Sequence, residues 1–437
     1  MPNRKQKSDL SRRNFISKAA VFGAGLTILP RHVFGRGYIP PSETVNHVLI
    51  GCGGISHMHT GACAGALHRW IAVCDVDANR MNGRANELKG ANGGQLPRTA
   101  KDYREVIGLA DADIVHVCTP PHWHGPIGAA AARAGKAVWG EKPLTRTIGE
   151  GLALVDIVQR AKVPFRVNTW FRLNTTNYYG IGPARDIRRI VASGVLGWPL
   201  TVRVASGAGG IEWKVNTWSG KTNLDPQPVP PHLDWDFYCG PSPLIPYHPH
   251  RCHGSFRGYW NFDQGGLGDM GQHFLDPVQY FLGKDGEYPV SAESNAPPQD
   301  AVACGVWKTA TLTYRDGCKV ILESELCPGH GTRPFIEGPK GRLWADMRTD
   351  PPELAIQARE FPLPEHQEDD FVAAVRERRP FGYGVSEAHH SCTMVSLAAL
   401  SVRLGRKITL SADGKEIVGD AQAQRLHSPE LRKPWLL

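Results

Sequence analysis

Short apolar runs alternate with helix-like stretches from residue 45 to residue 139, and this alternation constrains the fold more than any other feature of the chain. The strand-like runs are Val48–Ile50, Trp70–Cys74, Ile114–Cys118 and Ala137–Trp139, and the helix-like stretches are Ile55–Leu67 and Ile127–Ala134. Strands that alternate with helices pack into a parallel, doubly wound sheet with helices on both faces. The sequence therefore predicts an α/β protein whose first domain spans residues 45–165.

The composition changes in the second half of the chain. Aromatic, Pro and Gly residues become dense through 210–265, and two strand-like runs follow at Lys308–Tyr314 and Lys319–Glu323. These runs bracket Arg315-Asp316-Gly317, a turn sequence typical of a β-hairpin. We expect residues 166–437 to form an α+β domain with a large, mostly antiparallel open sheet and a C-terminal tail. A length of 437 residues suits two such domains.

The first residues have the features of an export signal. Ser11–Ile16 (SRRNFI) is a twin-arginine (Tat) signature, and the apolar run Ala19–Leu29 follows it. This run is too short for a membrane span, which needs roughly 20 residues. We predict that residues 1–44 are a Tat signal and linker, read by the Tat translocase, and that the protein is periplasmic or otherwise exported. If the signal is not cleaved, it would tether the protein to the membrane.

The distribution of charge along the chain bears on a possible nucleic-acid partner. The formal net charge is +8, of which +5 belongs to residues 1–30, so the rest of the chain carries too little positive charge to predict a nucleic-acid partner.

The ten cysteines include no C-x-x-C pair. Since a Tat passenger folds before export, we expect mainly free, buried thiols rather than disulfides.

A glycine-rich turn follows the first predicted strand and opens a helix. Gly51–Ser56 (GCGGIS) matches G-x-G-x-x-[G/A], with Ser56 at the third small position. Gly51 permits the tight turn and Gly53 lets a pyrophosphate approach the backbone. Asp75 ends the next strand, 22 residues after Gly53, where an acid accepts hydrogen bonds from a ribose 2′-hydroxyl and repels a 2′-phosphate. The sequence predicts a Rossmann domain that prefers NAD to NADP, with these cofactor contacts: Gly51, Gly53, Gly54, Ile55, Ser56 and Asp75.

A second group of predicted cofactor contacts follows a later strand. Thr119 and Pro120 lie just beyond Ile114–Cys118, at the carboxyl edge of the sheet, where ligands bind in such folds. His124 comes directly after them. We predict that all three residues contact the cofactor.

Two histidine groups could suggest a metal. His122 and His124 have no third ligand at suitable spacing. The second group, at residues 248–253, is interrupted by Pro249, which breaks any regular face. We predict no metal site from either group.

Several motifs together resemble one oxidoreductase family. They are Glu141-Lys142-Pro143, Thr119-Pro120-Pro121, Gly135-Lys136 and Gly265–Asp276, which fits G-x-x-x-D-x-G-x-H-x-x-D. With the glycine turn, they resemble the glucose–fructose oxidoreductase, inositol dehydrogenase and MocA (Gfo/Idh/MocA) family. Pro228–Pro230, Leu233–Asp236, Gly240–Pro243, Arg251–His253 and residues 419–435 are similar to its Tat-exported branch. The resemblance implies homo-oligomers that pack through the open sheet, and it does not specify a substrate.

The resemblance also implies a catalytic set. Asp269 and His273 are spaced i, i+4, which places them on one helical face. His273 is expected to act as acid/base on a hydroxyl, Asp269 to orient it or bind the adjacent hydroxyl, and Lys142 to bind the reacting oxygen. Glu141 and Pro143 are expected to position Lys142 near the nicotinamide. Glu141 and Lys142 are also predicted to contact the cofactor. The Lys142–Pro143 bond is a candidate cis peptide.

Substrate contacts are predicted in two regions. The family places substrate and nicotinamide contacts around Trp170 and Arg172. Trp170, Tyr259 and Trp260 are equally compatible with stacking on a sugar ring and with packing in the core. Arg251 and His253 are also expected to contact substrate. The predicted substrate residues are Trp170, Arg172, Arg251, His253 and Trp260.

The leading interpretation is an exported oxidoreductase that transfers hydride between tightly held NAD and a hydroxyl or keto carbon of a sugar, polyol or glycoside. One alternative is a glycoside hydrolase or lyase that oxidises its sugar transiently. The family contains such a hydrolase, in which the motif lysine is replaced, whereas Lys142 is intact here. The other alternative is a non-catalytic sugar-binding protein, against which the set of Lys142, Asp269 and His273 argues.

Overall fold

The computed structural model describes residues 43–169, 172, 177–367 and 369–437. Within it, Val45–Leu437 form one compact unit. The predicted export signal and the predicted substrate contact Trp170 lie outside the described residues.

The first part of this unit is a six-stranded, all-parallel sheet in the order β3-β2-β1-β4-β5-β6. The strands are β1 (Val45–Ile50), β2 (His68–Cys74), β3 (Arg98–Ala100), β4 (Ile114–Val117), β5 (Ala137–Glu141) and β6 (Phe165–Asn168). The helices between them are α1 (Ser56–Ala62), α2 (Ala78–Ala91), α3 (Tyr103–Ile107), α4 (His124–Arg133) and α5 (Ile148–Ala161). This strand order is that of a Rossmann fold, as predicted.

Two boundaries differ from the sequence prediction. The helix expected over Ile55–Leu67 ends at Ala62, because the backbone leaves helical geometry at Cys63 (φ −108°, ψ 47°), and Gly65 at φ +104° then continues the turn. The last strand of the parallel sheet, β6, runs from Phe165 to Asn168. The sheet therefore extends three residues past the predicted domain boundary at residue 165.

The second sheet has eight strands in the order β13-β12-β11-β7-β10-β9-β8-β14. They are β7 (Thr201–Ala205), β8 (Ser291–Asn295), β9 (Thr309–Thr313), β10 (Lys319–Glu323), β11 (Ile336–Gly338), β12 (Gly341–Leu343), β13 (Thr349–Asp350) and β14 (Ile408–Thr409). Only the β7–β10 pair is parallel, so the sheet is mostly antiparallel, as predicted. The predicted hairpin joins β9 to β10, with Gly317 at φ +86°.

The helices of this part of the chain are α6 (Ala184–Ala192), α7 (Trp235–Cys239), α8 (Gly265–Phe281), α9 (Glu353–Arg359), α10 (Phe371–Arg376), α11 (Val385–Leu404) and α12 (Ala421–His427). Helices α6, α8, α9, α11 and α12 contribute buried residues to the core of the second domain, whereas α10 contributes to the core of the first domain and α7 to a smaller separate cluster. Helix α8 is almost wholly buried and packs against α11. The two helices approach closely at Gly271, where an added Cβ would lie 2.9 Å from the side chain of Val395. Glycine at this point lets the helix that carries the Asp269/His273 motif sit in the core.

Residues from the end of the chain complete the first domain. Phe371 of α10 packs edge-on against Trp139 of β5. Trp435, in the tail, packs edge-on against Trp123 and Phe237 with ring centroids 4.8 Å from each. The tail therefore reinforces the rim of the parallel sheet.

All ten cysteines lie in the described part of the chain, and all are buried free thiols, as expected. None of the helices among the described residues combines the length and the apolar character needed to cross a membrane.

Candidate active site

A cavity of about 430 Å³ opens at the carboxyl edge of the parallel sheet. It is lined by seven of the predicted cofactor residues: Gly51, Gly53, Gly54, Ile55, Asp75, Thr119 and Pro120. Leu233, Phe237 and Tyr238 from the second half of the chain form its opposite wall. The described residues thus build a cleft between the glycine turn and the second domain, which is where a doubly wound sheet binds its ligand.

The glycine turn has the shape that a pyrophosphate requires. A Cβ on Gly51 would lie 2.5 Å from the carbonyl carbon of Cys118, so only glycine lets these two loops touch. Around Gly53 and Gly54 the space is open, and the nearest atom to a Cβ on Gly53 is Nη1 of Arg80 at 3.9 Å. The backbone of the turn therefore faces the cavity without a side chain in between. Ser56 lies beneath the turn, buried, with its Oγ donating to the carbonyl of Gly53 over 2.6 Å.

The ribose end of the cleft contains charged groups of both signs. Asp75 accepts backbone N–H groups of Cys52 at 2.6 Å and Asp77 at 2.8 Å, which fixes its carboxylate at the edge of the cavity. Burial raises the pKa of this carboxyl. Arg80 also lines the cavity. His253 lies beside them, with Nε2 3.5 Å from Oδ2 of Asp77. The structure thus places the predicted substrate contact His253 at the Asp75/Asp77 end of the cleft, on the side predicted for the cofactor ribose.

The catalytic residues predicted from the motifs come together where β5 meets α8. Lys142 follows β5, and its Nζ lies 2.5 Å from the carbonyl oxygen and 3.3 Å from Oδ1 of Asp269. Arg257 donates through Nε to the same Oδ1 over 2.6 Å. Burial alone would raise the pKa of Asp269, but the charges of Lys142 and Arg257 outweigh it and hold that pKa well below its usual range. Asp269 is therefore a carboxylate that two cations hold in place.

His273 lies one turn further along α8 and is buried. Burial lowers its pKa well below the ordinary value, and the positive charge of Lys142 adds to this effect. The ring is consequently neutral at physiological pH. A neutral imidazole is the form that can accept a proton.

Glu141 and His124 hold the segment that carries Lys142. Glu141 is buried at the end of β5, where Oε1 accepts from Nδ2 of Asn168 at 2.7 Å and lies 2.9 Å from Nε2 of His59. The ring nitrogens of His124 lie 2.6 Å from the carbonyl oxygen of Pro143 and 2.8 Å from that of Thr119. The Lys142–Pro143 bond is cis. Neither Glu141 nor His124 is among the cavity-lining residues, and their contacts indicate a positioning role behind the cofactor cleft.

Three predicted substrate contacts lie elsewhere. Arg172 has a fully buried side chain that pairs with Asp276 at 2.8 Å and with Asp285. These two carboxylates neutralise its positive charge inside the core. Trp260 is 6% exposed, and its Nε1 donates to the carbonyl of Asp300. An ion-pair network thus occupies the side chain of Arg172 and core packing that of Trp260, and neither residue lines the cavity, so substrate contact at both stays a prediction.

The third of these residues, Arg251, also lies outside the cavity lining. Its Nη1 donates to the carbonyl oxygen of Pro246 over 2.8 Å. The neighbouring Tyr259, considered for stacking on a sugar, is buried and bonded through its hydroxyl to Nδ1 of His250 at 2.7 Å. The hydroxyl of Tyr259 also accepts from the backbone N–H of Lys221 at 3.3 Å, so contacts within the second domain occupy both side chains.

The sequence analysis did not identify Arg257 or Asp263. Arg257 lies in the short 3₁₀ segment His253–Gly258, lines the cavity and reaches Asp269. Asp263 is buried, and burial raises its pKa to about 7. Neither residue belongs to a recognisable motif, and only the packing of this loop on α8 brings them to the site.

Two family models match the chain. Residues 45–169 match one described as the oxidoreductase family's NAD-binding Rossmann fold. Residues 181–437 match one described as the C-terminal alpha/beta domain of the same oxidoreductase family, Gfo/Idh/MocA. The first match contains the glycine turn and Lys142, and the second contains Asp269 and His273.

Individual relatives and solved structures match this chain at low sequence identity. The uncharacterized oxidoreductase YrbE of Bacillus subtilis is 23% identical over 68% of this chain and 72% of its own length. Levoglucosan dehydrogenase of Pseudarthrobacter phenanthrenivorans is 26% identical over 55% of this chain, and the match spans about half (52%) of that protein. Among solved structures, the WlbA dehydrogenase of Bordetella pertussis, in complex with NADH and UDP-GlcNAcA, has a TM-score of 0.54 at 19% identity and covers 85% of this chain and 100% of that chain. At this identity the last likeness shows a shared fold.

Proposed function

The chain belongs to the Gfo/Idh/MocA family of oxidoreductases and has that family's NAD-binding Rossmann domain, and from this premise we propose that it transfers hydride between NAD and a CH–OH or keto carbon of a sugar, polyol or glycoside. Levoglucosan dehydrogenase, a relative named for its carbohydrate substrate, supports the substrate class.

One observation carries the proposal. Arg257 lines the cavity at the glycine turn and also donates to Asp269, which pairs with Lys142. The cleft that fits a dinucleotide is thus joined through one side chain to the catalytic cluster. A dinucleotide whose pyrophosphate lies on the turn between Gly51 and Gly54 would extend toward this cluster.

The chemistry of Lys142, Asp269 and His273 suits the oxidation of an alcohol. NAD, when bound, supplies the hydride acceptor. As the carbon–hydrogen bond gives up its hydride, the hydroxyl proton passes to the neutral ring of His273. The ammonium of Lys142 donates to the reacting oxygen and stabilises the negative charge that develops on it. Asp269 holds Lys142 in position. In the reverse direction, protonated His273 returns the proton to the carbonyl oxygen.

The proposed setting is outside the cytoplasm. The paired arginines Arg12 and Arg13, with Phe15 and the apolar run Ala19–Leu29, support export by the Tat pathway in the folded state, whether the signal is then cleaved or kept as a tether. Because free NAD is scarce there, the cofactor would be loaded before export and recycled within the site by a second substrate or by the same one.

We also include a homo-oligomer in this proposal. Strand β9 alternates buried residues with Thr309, Thr311 and Thr313, which are partly exposed on the opposite face of the sheet. A second copy packed on this small polar face would cover it.

Hydride transfer with a carbohydrate panel tests the proposal. Purified full-length protein is supplied with NAD and incubated with monosaccharides, polyols and intact glycosides, singly and as donor–acceptor pairs. Nicotinamide absorbance and chromatography of the sugars are followed together. We expect at least one carbohydrate to reduce the cofactor, or one pair to exchange oxidation states. Protein that binds NAD and sugar but never changes the redox state of either would contradict the proposal and favour the sugar-binding alternative.

The same experiment separates oxidation from glycoside cleavage. A hydrolase or lyase that oxidises its sugar transiently would release an aglycone with no net change in nicotinamide absorbance. An oxidoreductase yields a keto sugar or lactone in proportion to the reduced cofactor or reduced acceptor. Aglycone release without an oxidised product would assign the chain to the cleavage reaction.

A further inference from the structure

Three possible metal ligands converge in the first domain, away from the cofactor cleft. One ligand atom each from His47, Cys63 and His68 lies within 4.8 Å of the other two. His47 lies on β1, His68 opens β2, and Cys63 follows α1 directly. Because His68 pairs with Val45, the first residue of β1, this cluster lies toward the amino ends of the strands, whereas the glycine turn lies at the carboxyl ends.

A run of hydrogen bonds leads from Glu141 to His47, and for neutral rings it decides which nitrogen of His47 carries the proton. Glu141 can only accept, so His59 donates to it through Nε2 over 2.9 Å. With one proton on each ring, Nδ1 of His59 accepts from Nδ1 of His116 at 2.9 Å, and Nε2 of His116 accepts from Nδ1 of His47 at 2.8 Å. The proton of His47 therefore resides on Nδ1. Its Nε2 carries the lone pair and accepts from Nδ1 of His68 at 2.9 Å.

The ionisation of the groups in this run is consistent with that assignment. Burial lowers the pKa of His47 to about 3 and that of His116 well below the ordinary value, so both rings are neutral. Burial alone would raise the pKa of Glu141, but the hydrogen bond from His59 and nearby charges lower it, so the run ends on a carboxylate. Metal-bound histidines usually donate their second N–H to an acceptor that orients the ring, and here the acceptor of His47 is Nε2 of His116.

We propose that His47 Nε2, His68 Nδ1 and Cys63 Sγ form a binding site for a single borderline-soft divalent cation of the zinc type. Two imidazoles and a thiolate suit zinc, which is bound tetrahedrally with about 2.0–2.1 Å to nitrogen and about 2.3 Å to sulfur. The site is separate from the NAD cleft and does not depend on the proposed reaction.

The geometry needs only small adjustments to admit the ion. Tetrahedral zinc holds two nitrogens roughly 3.3 Å apart, so the His47 and His68 rings separate by a few tenths of an ångström. The sulfur of Cys63 lies within 4.8 Å of both nitrogens, and since a tetrahedral zinc site holds sulfur and nitrogen roughly 3.5 Å apart, any approach that the sulfur makes is at most roughly 1.3 Å. His68 is partly exposed, and the loop at 64–67 beside it is exposed, which gives the ion access and leaves a fourth position for water.

Binding at this site displaces the thiol proton. Burial raises the pKa of Cys63 to about 12, while the guanidinium of Arg166 acts in the opposite direction. The thiol is thus protonated until the ion arrives, so binding releases its proton, and His68 shifts its own proton from Nδ1 to Nε2 to free a lone pair for the ion. The rings of Trp70 and Trp139 flank His116 with centroids at 4.8 and 5.4 Å, so the hydrogen-bonded run lies in an apolar shell.

Cobalt(II) tests the site directly, since a thiolate ligand gives Co²⁺ a charge-transfer absorption in the near ultraviolet. Full-length protein is treated with a chelator, freed of it and titrated with Co²⁺, then with Zn²⁺. We expect one Co²⁺ per chain with the thiolate band, displaced by one equivalent of Zn²⁺. Cys63→Ser should abolish the band, whereas Cys318→Ser, at a buried cysteine of the second sheet, should keep it.

A second variant guards against a folding defect. His68→Gln changes a partly exposed ligand and should weaken Co²⁺ binding at least tenfold with an unchanged circular dichroism spectrum, whereas His389→Gln, at a buried histidine of α11, should not weaken it. The absence of a thiolate band in the wild-type protein would overturn the proposal. So would a band with unchanged affinity in either Cys63→Ser or His68→Gln.

Discussion

The Nζ of Lys142 lies 3.3 Å from Oδ1 of Asp269, and this ion pair joins the end of β5 to helix α8. Both side chains are nearly buried, at 10% and 7% exposure. The pair forms only where the parallel sheet packs against the second domain. The proposed catalytic cluster is therefore a product of that packing, and the loss of either charge leaves the other uncompensated in a poorly solvated place.

Lys142→Ala should lower kcat/KM for the carbohydrate substrate by about 10²- to 10⁴-fold, because it removes the donor to the reacting oxygen. NAD affinity should change little, since the cavity lining does not include Lys142. Steady-state kinetics and NAD titration measure the two effects. Lys89→Ala, at an exposed lysine of α2, is the matched control and should behave as wild type. A Lys142→Ala protein with unchanged activity would rule out the catalytic assignment.

The pH profile of oxidation should reflect His273. The base is active when neutral, so kcat/KM should fall as the pH drops through the pKa of His273, which burial and Lys142 hold well below its ordinary value. Activity should thus persist below about pH 6.5, the ordinary histidine pKa. In Lys142→Met the loss of the positive charge should move this acid limb of the residual activity to higher pH. A limb that stays in place, or moves lower, would show that another group titrates.

The buried charge cluster around Arg172 should be essential to stability. Arg172→Met leaves Asp276 without its partner at 2.8 Å in a fully buried position. We expect the free energy of unfolding to fall by about 3–5 kcal/mol, as for other broken buried pairs. Denaturant unfolding measures this. Arg160→Met breaks an exposed pair with Asp156 and should cost less than about 1 kcal/mol. Equal effects of the two variants would contradict the assigned structural role of Arg172.

Asp75 should decide between NAD and NADP. Its carboxylate is fixed at the cavity by two backbone N–H groups, and Arg80 lines the same end. Asp75→Asn keeps the shape but removes the charge that repels a 2′-phosphate. The preference for NAD over NADP should therefore fall about tenfold or more, with Arg80 available to the phosphate. Fluorescence titration with both reduced cofactors measures this ratio. Asp111→Asn, at an exposed acid, is the control, and an unchanged ratio in Asp75→Asn would place the ribose elsewhere.

Local patterns predicted the architecture well. Apolar runs of three to five residues separated by helix-like stretches specify parallel strands, and the glycine turn lies between β1 and α1 as expected. The helix after the turn was predicted too long, because the apolar pattern continues past Ala62 while the backbone leaves helical geometry at Cys63. Lys142, Asp269 and His273 were predicted from motifs, and the structure brings them together.

The surroundings of the cluster could not be predicted in the same way. Arg257 and Arg172 are both arginines near family motifs, yet one reaches Asp269 at the cavity and the other is buried against Asp276. Trp260 lies in the core, and His253 lies beside Asp77. The placements of His253, Arg257 and Trp260 depend on how an irregular loop packs against α8, and that of Arg172 depends on its ion pairs with Asp276 and Asp285. Such long-range contacts leave no periodic signal in the sequence.

The cofactor content of the purified protein tests the central claim most directly. Full-length protein produced in a Tat-competent host is denatured, and the released nicotinamide is quantified per chain. The account predicts close to one NAD or NADH per chain, held through purification by the cleft between the glycine turn and the second domain. Protein that releases no nicotinamide, and that binds none when NAD is added, would contradict it.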